Sequence, residues 1–300
     1  MREKSRVALV QGQERYQNIA QALKLIQGDI QLEDRHRILI KPNFVTVSNQ
    51  LAATHVDAVR ALLDFLQEQG VSKVTIAEGP AIGSAEAGFQ NYGYLSLAKD
   101  YHVEFLDLNL DEGVRIQLHD QNLHPMHLRV AKTVLDSDFR ISIGPPKTHD
   151  TVIVTLSLKN IAMGSLVGGD KSALHQGYPA TNLNLYTLAK YIAPNLSIID
   201  GYQAMQGDGP THGEPVDLRL AIASTDFLAA DAVATTIMGF QLSEIGYLAH
   251  CHQGGLGEGD RERMEIVGNV TLKECIRPFK PHQSYPQQLA WKIPEVERLL

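Results

Sequence analysis

The sequence has little cysteine. Cys251 and Cys275 are the two cysteines among 300 residues, and no Cys-x-x-Cys pair occurs. A disulfide framework needs several cysteines at close spacing, and an iron–sulfur cluster needs a set of cysteine ligands. The sequence therefore excludes a disulfide scaffold and an iron–sulfur cluster ligated by this chain's cysteines alone.

Long apolar runs are also missing. The most apolar window, Leu220 to Phe240, is interrupted by Asp226 and Asp231, and the first residues carry charges but no apolar segment of signal-peptide length. A membrane helix needs an almost uninterrupted apolar run, and a secretory signal needs an apolar central region. The sequence thus predicts a cytoplasmic protein with no membrane partner.

An excess of positive charge is absent too. The chain has 27 Lys and Arg against 34 Asp and Glu, which gives a net charge of -7. Because contacts to nucleic-acid phosphates need clustered Lys and Arg, nucleic-acid binding is excluded as the main function. A local group of lysines inside an acidic protein can still bind a small anion.

The chain repeatedly shows a strand pattern, then a loop rich in Gly, Pro and polar residues, then helical periodicity. The clearest strand patterns cover residues 6–11, 36–41, 73–77, 139–143, 196–199 and 218–223. This order predicts an α/β fold with a mainly parallel sheet flanked by helices. Weaker alternating patterns predict a small antiparallel excursion near residues 103–131.

The length suits one large domain or two modest ones. We predict a single α/β domain over residues 1–270, followed by a C-terminal tail of residues 271–300. Two lobes that meet near residues 135–150 are the alternative. The sequence does not indicate an oligomeric state.

Polar residues able to carry chemistry concentrate in residues 139–172. A first strand pattern is followed by Lys147 and His149, and a second, over residues 151–158, is followed by Lys159. In open parallel sheets, ligands bind outside the carboxyl ends of the strands. This stretch is therefore the first candidate for a ligand site.

Other strand patterns also end in polar residues, at Lys41, Glu78 and Asp200. If the strands are parallel neighbours, these ends face one crevice. The residues predicted to bind the ligand there are Lys41, Asn43, Glu78, Asn160, Lys171, His175 and His212.

The predicted chemistry is anion binding with proton transfer. Ammonium groups at strand ends suit a phosphate or a carboxylate, so Lys147 and Lys159 are predicted to neutralise a small anionic ligand. His149 is predicted to act as general acid and base. These three residues are the candidate catalytic residues.

The acidic residues have three different interpretations. Asp200 and Asp208 are candidate oxygen ligands of a divalent metal, although no cofactor is identified by a motif. Asp226 precedes a helical pattern and is predicted to cap it. Asp231 lies among Ala and Val, which indicates a buried carboxylate with a partner.

The order of these segments resembles the family catalogued as domain of unknown function 362. The resemblance spans roughly residues 5 to 245 and rests on an ordered series of motifs: Lys41-Pro-Asn43, Glu78-Gly79, Pro146-Lys147-Thr-His149, Thr155-Leu-Ser-Leu-Lys159-Asn160, Asp200-Gly201, Gly207-Asp-Gly-Pro210 and Asp226-Phe-Leu-Ala-Ala-Asp231. Some members carry a ferredoxin-like cysteine segment, so the resemblance implies a link to iron–sulfur chemistry. This chain lacks that segment, and the resemblance implies no settled reaction.

Three functions follow from these observations. The first is an enzyme that acts on a phosphorylated or carboxylated metabolite at the strand-end crevice, with or without a divalent metal. The second is a non-catalytic binding or electron-transfer accessory that partners an iron–sulfur protein. The third is a ligand sensor.

Overall fold

The computed structural model describes residues 4–300. Its strands are β1 (Ser5–Gln11), β2 (Ile38–Lys41), β3 (Val74–Glu78), β4 (Val103–Asp107), β5 (Gly113–His119), β6 (Pro125–Ala131), β7 (Phe139–Gly144), β8 (Lys147–His149), β9 (Ile153–Thr155), β10 (Leu196–Gln206), β11 (Glu214–Ser224) and β12 (Met264–Gly268). Its α-helices are α1 (Arg15–Leu25), α2 (Val56–Glu68), α3 (Ala85–Asn91), α4 (Lys132–Asp136), α5 (Ser157–Gly164), α6 (Asp170–Ala173), α7 (Gly177–Ile192), α8 (Phe227–Ile237), α9 (Gly246–Gln253), α10 (Leu272–Cys275), α11 (Tyr285–Gln288) and α12 (Pro294–Glu297).

The central sheet has the strand order β12-β1-β11-β10-β7-β2-β3-β4, and β8 and β9 attach beside β10. Along this order the neighbouring strands are parallel except at β11, which is antiparallel to both β1 and β10. The short β8–β9 hairpin is also antiparallel. The predicted α/β fold with a mainly parallel sheet is confirmed.

The predicted small antiparallel excursion near residues 103–131 is confirmed, and it comprises β5 and β6. β4 pairs in parallel with β3 and forms the edge of the main sheet, so residues 103–107 do not belong to the excursion. β5 and β6 alone form a separate two-stranded antiparallel sheet, with Gly113 opposite Ala131.

Two hydrophobic cores lie on the two faces of the central sheet. Because successive side chains of a strand point to opposite faces, Val7 and Leu9 of β1 enter one core, and Ala8 and Val10 enter the other. The first core also contains buried residues of α5, α7, α8 and α9, and the second contains those of α1, α2 and α3. The result is a three-layer arrangement of helix, sheet and helix.

The start of α8 confirms the cap predicted from the sequence. The Asp226 carboxylate accepts hydrogen bonds from the N–H groups of Leu228 and Ala229. At α2 the cap is His55, whose side chain accepts from the Asp57 N–H. The hydroxyl of the preceding residue, Thr54, accepts from the Asn43 N–H and donates to the Ile143 carbonyl, so it ties two strand ends together.

The segment predicted as a C-terminal tail packs on the first core. Leu272, Phe279 and Val296 are buried in that core, and Trp291 is buried with its indole N–H bonded to the Glu244 carbonyl. Gln288 is buried as well, 1% exposed. The division into one domain and a tail stays a prediction.

Among the helices of residues 4–300, none combines the length and the apolar composition needed to cross a bilayer.

Candidate functional site

The ends of β2 and β3 and the first turns of α5 enclose a cavity of about 440 Å³, which we call the strand-end pocket. β2 and β3 are parallel neighbours joined through α2, so Lys41 and Glu78 at their ends lie side by side. The predicted site residues that line this pocket are Lys41, Asn43, Glu78, His149, Lys159, Asn160, Lys171 and His175. The structure thus brings these residues together around one cavity, and their roles in ligand binding stay predictions.

A buried ion pair forms the floor of the strand-end pocket. The Lys41 ammonium donates to Glu78 Oε1 at 2.5 Å and to Asn160 Oδ1 at 3.0 Å. Glu78 Oε1 also accepts from the Phe44 N–H, whereas Glu78 Oε2 has no partner within residues 4–300. The charge of Lys41 is therefore balanced by Glu78 and not by a ligand.

Lys147 lies beneath the pocket and does not line it. Its ammonium donates to Asn43 Oδ1 and to the Ala52 carbonyl, both at 2.6 Å, and the side chain is fully buried. Burial and the neighbouring Lys159 ammonium hold the pKa of Lys147 well below its ordinary value. Lys147 therefore does not reach a ligand in the pocket directly, as its predicted catalytic role requires. It could act on such a ligand only through its hydrogen bond to Asn43.

Lys159 is the buried cation of the pocket that lacks a partner. The side chain is 5% exposed, and within residues 4–300 its ammonium makes no hydrogen bond and no ion pair, although it lines the pocket. Burial lowers the pKa of Lys159 to about 8, while the Asp150 carboxylate acts in the opposite direction. Burial of an ammonium without partners costs free energy, so this position favours the binding of a negatively charged group.

His149 is held by one ring nitrogen only. Its Nδ1 lies 3.0 Å from the Thr151 N–H and 3.0 Å from Asp150 Oδ1, while Nε2 makes no hydrogen bond within residues 4–300. Burial, followed by the Lys159 ammonium, lowers the pKa of His149 to about 3, so the ring is neutral at pH 7. The fixed ring leaves Nε2 to contact a ligand.

His175 lies next to His149 at the mouth of the pocket. The two rings are nearly parallel, with an interplanar angle of 4° and 6.3 Å between centroids. The His175 side chain is exposed to solvent, unlike that of His149.

Lys171 closes another side of the pocket and is already paired. Its ammonium donates to Asn109 Oδ1 at 2.5 Å and to the Leu166 carbonyl. Burial lowers the pKa of Lys171 to about 8.

Asp231 positions the helix that carries Lys159. The carboxylate is fully buried and accepts from the N–H groups of Ser157 and Leu158 at 2.9 and 3.0 Å, which are free donors of the first turn of α5. The sequence-based prediction of a buried, paired carboxylate is therefore confirmed.

A family model described as domain of unknown function, DUF362, matches residues 38–236, from β2 to the last turn of α8. The chain belongs to the DUF362 family. The resemblance predicted from the ordered motifs is confirmed, and the matched range holds the residues of the strand-end pocket that the motifs named.

A curated relative of this DUF362 chain is a thylakoid-associated protein of Synechocystis sp., which is 32% identical over 269 residues. The alignment covers 87% of this chain and 77% of the relative. The predicted cytoplasmic location stays a prediction, because the relative's name refers to thylakoids.

Among solved structures, the lactate racemase apoprotein from Thermoanaerobacterium thermosaccharolyticum is similar to the DUF362 chain in fold. The TM-score is 0.52 at 14% sequence identity, and the match covers 79% of this chain. This chain spans 57% of the length of that protein. At this identity the likeness shows the fold alone.

The structure does not bring Asp200 and Asp208 into the pocket. The strand pattern of residues 196–199 was too short: β10 continues to Gln206, so Asp200 lies within the strand, where it pairs with Arg15 at 3.0 Å. Asp208 is exposed, 3.9 Å from His282. Within residues 4–300, no three His, Cys, Asp or Glu side chains are grouped so as to hold a metal ion.

His212 is also outside the pocket. It is exposed, and its Nδ1 lies 2.8 Å from the hydroxyl of Thr211, which does line the pocket. The loop thus reaches the pocket at Thr211, but the His212 ring contacts the Thr211 hydroxyl and does not line the pocket.

Several residues that line the pocket were not among the predicted site residues. Asp150 and Thr155 flank the predicted residues, and the Thr155 hydroxyl is buried without a partner within residues 4–300. Val45, Ile82 and Met163 supply an apolar part of the wall. Val45 and Ile82 lie in the loops just after β2 and β3, so a search for apolar residues in strand-end loops could have found them.

Proposed function

We propose that this DUF362 protein is an enzyme that binds a small carboxylate in the strand-end pocket and transfers a proton to or from it. The observation that carries the proposal is the Lys159 ammonium, which is 5% exposed, lines the pocket and has no partner within residues 4–300. A carboxylate beside it would supply the missing counter-charge and hydrogen-bond acceptor.

The N-terminus of α5, the helix that lines the pocket, favours a carboxylate over a phosphate. Phosphates are commonly bound by free N–H groups at helix N-termini. At α5 the first of these groups already donate to the Asp231 carboxylate. The described pocket lining also contains no arginine. One free ammonium suits the single charge of a carboxylate.

The proposed proton transfer rests on His149 and Lys159, which both line the pocket. Lys159, with a pKa of about 8, gains and loses a proton close to neutral pH. His149 is neutral in the free protein, partly because of the Lys159 charge. Because Nδ1 accepts from the Thr151 N–H, the neutral ring carries its proton on Nε2, which can donate to a ligand. A bound carboxylate would offset the Lys159 charge and raise the pKa of His149.

The similarity in fold to a lactate racemase apoprotein is consistent with this choice, since lactate is a small carboxylate. It supports the class of ligand and not the reaction. The electron-transfer alternative would need cluster ligands from the partner, because the two isolated cysteines of this chain cannot ligate a cluster alone.

The proposal is tested by titration calorimetry with acetate, lactate and inorganic phosphate at constant ionic strength. We expect binding of at least one carboxylate, with phosphate weaker. Lys159→Met should weaken carboxylate binding at least tenfold, about 1.4 kcal/mol. Lys24→Met, which makes the same chemical change at an exposed position of α1, is the control.

Carboxylate binding that Lys159→Met leaves intact would overturn the proposal. Proton transfer is checked separately, by incubating the protein with the bound carboxylate in D2O and following loss of its C–H signals by NMR. Binding without any such exchange or turnover would favour the sensor alternative.

A further inference from the structure

One residue of the pocket wall has a strained backbone. Val45, in the loop after β2, has a φ of +49° and is only half-buried. β-branched residues rarely adopt this left-handed conformation. The Val45 carbonyl accepts the N–H groups of Ala81 and Ile82, each at 3.0 Å, so the loop after β3 holds the strained residue in place. Glycine or asparagine would fit this backbone with less strain, so the valine side chain itself needs an explanation.

Ile82 is exposed on the same side of the pocket. Its side chain is 59% exposed, although it lines the cavity together with Val45 and Ala81. Met163 also lines the cavity, from α5. We call Val45, Ala81, Ile82 and Met163 the apolar rim.

The apolar rim begins about one helical turn from Lys159. Met163 follows Lys159 by four residues on α5, so the two side chains lie on one face of the helix, about 6 Å apart along its axis. A ligand with its charge at Lys159 therefore reaches the rim with a chain of a few carbons.

We propose that the ligand is an amphiphilic carboxylate, with its carboxylate at Lys159 and an aliphatic or aromatic body against the apolar rim. This inference rests on the proposed carboxylate site and narrows its substrate class. It explains why a β-branched residue occupies a left-handed position and why a large apolar side chain remains exposed at the mouth. A purely polar metabolite would leave both features without a partner.

The test is calorimetry of the full chain with acetate, butyrate and hexanoate at one pH and ionic strength. Burial of one methylene group contributes about 0.8 kcal/mol, or roughly a fourfold gain in affinity. We expect hexanoate to bind on the order of a hundredfold more tightly than acetate if most of its methylene groups are buried. Ile82→Ser should reduce the ratio of hexanoate to acetate affinity at least tenfold. Leu95→Ser removes an exposed leucine away from the pocket and is the matched control.

The outcomes separate this inference from the proposed function. Equal affinities for acetate and hexanoate would overturn the amphiphilic ligand and leave the carboxylate site standing. An unchanged affinity ratio in Ile82→Ser would also overturn it, because the rim would then make no contact with the chain. Absence of binding for all three carboxylates would count against the carboxylate site itself.

Discussion

At the scale of single residues, Lys159 destabilises the free protein. Its pKa falls from an ordinary value of 10.5 to about 8 because of burial, which corresponds to a cost of about 3 kcal/mol for the charged form. The unfolded chain keeps the proton up to higher pH than the folded protein does. This cost is therefore fully present below about pH 8 and disappears as the pH rises to the unfolded value.

Lys159→Met should accordingly raise the free energy of unfolding at pH 7, by up to about 3 kcal/mol. The gain over the wild type should shrink to nothing near pH 10.5. Urea unfolding of both proteins at several pH values measures this difference, and Lys24→Met should show no such gain. A variant less stable than the wild type at pH 7 would mean that Lys159 supports the fold rather than a ligand.

At the scale of elements, α5 shows what sequence periodicity could not predict. Residues 151–158 alternate in the manner of a strand, but the strand β9 ends at Thr155 and the helix begins at Ser157. The deciding contact comes from Asp231, 74 positions further along the chain. Because such a cap is tertiary, local pattern placed Lys159 at a strand end instead of in the first turn of a helix.

Asp231→Ala should therefore destabilise the protein. It leaves the Ser157 and Leu158 N–H groups buried without acceptors, at a cost of about 1–3 kcal/mol for each. The size of the effect should depend on pH. Burial raises the pKa of Asp231 from 3.8 to about 7, so the wild type loses part of its stability as the pH rises between these values, and the variant does not.

The destabilisation by Asp231→Ala should hence be largest near pH 4 and smaller at pH 8. Urea unfolding across this range measures it, with Glu68→Ala at an exposed position of α2 as control. A difference between wild type and variant that does not change with pH would contradict the buried, raised-pKa carboxylate.

At the scale of the whole molecule, the sequence was enough to bring pocket residues together where the strands that carry them follow one another in the chain. β2, α2 and β3 follow one another directly, so the meeting of Lys41 and Glu78 follows from a parallel crossover. The prediction that Asp200 lies at a strand end was wrong, because β10 continues past Gly201 to Gln206 and stays paired with β11. The packing of the C-terminal residues carried no local signal at all.

Those C-terminal residues hold the hairpin that carries His149. The Gln288 amide donates to the His149 carbonyl at 2.8 Å and accepts from the Ile153 N–H, and the side chain is buried. Gln288→Ala should leave the Ile153 N–H unpaired, lower the free energy of unfolding by about 1–3 kcal/mol and speed hydrogen exchange across β8 and β9. Mass spectrometry of amide exchange measures this, with the exposed neighbour Gln287→Ala as control. Unchanged exchange of the hairpin would mean that the pocket is built without the C-terminal segment.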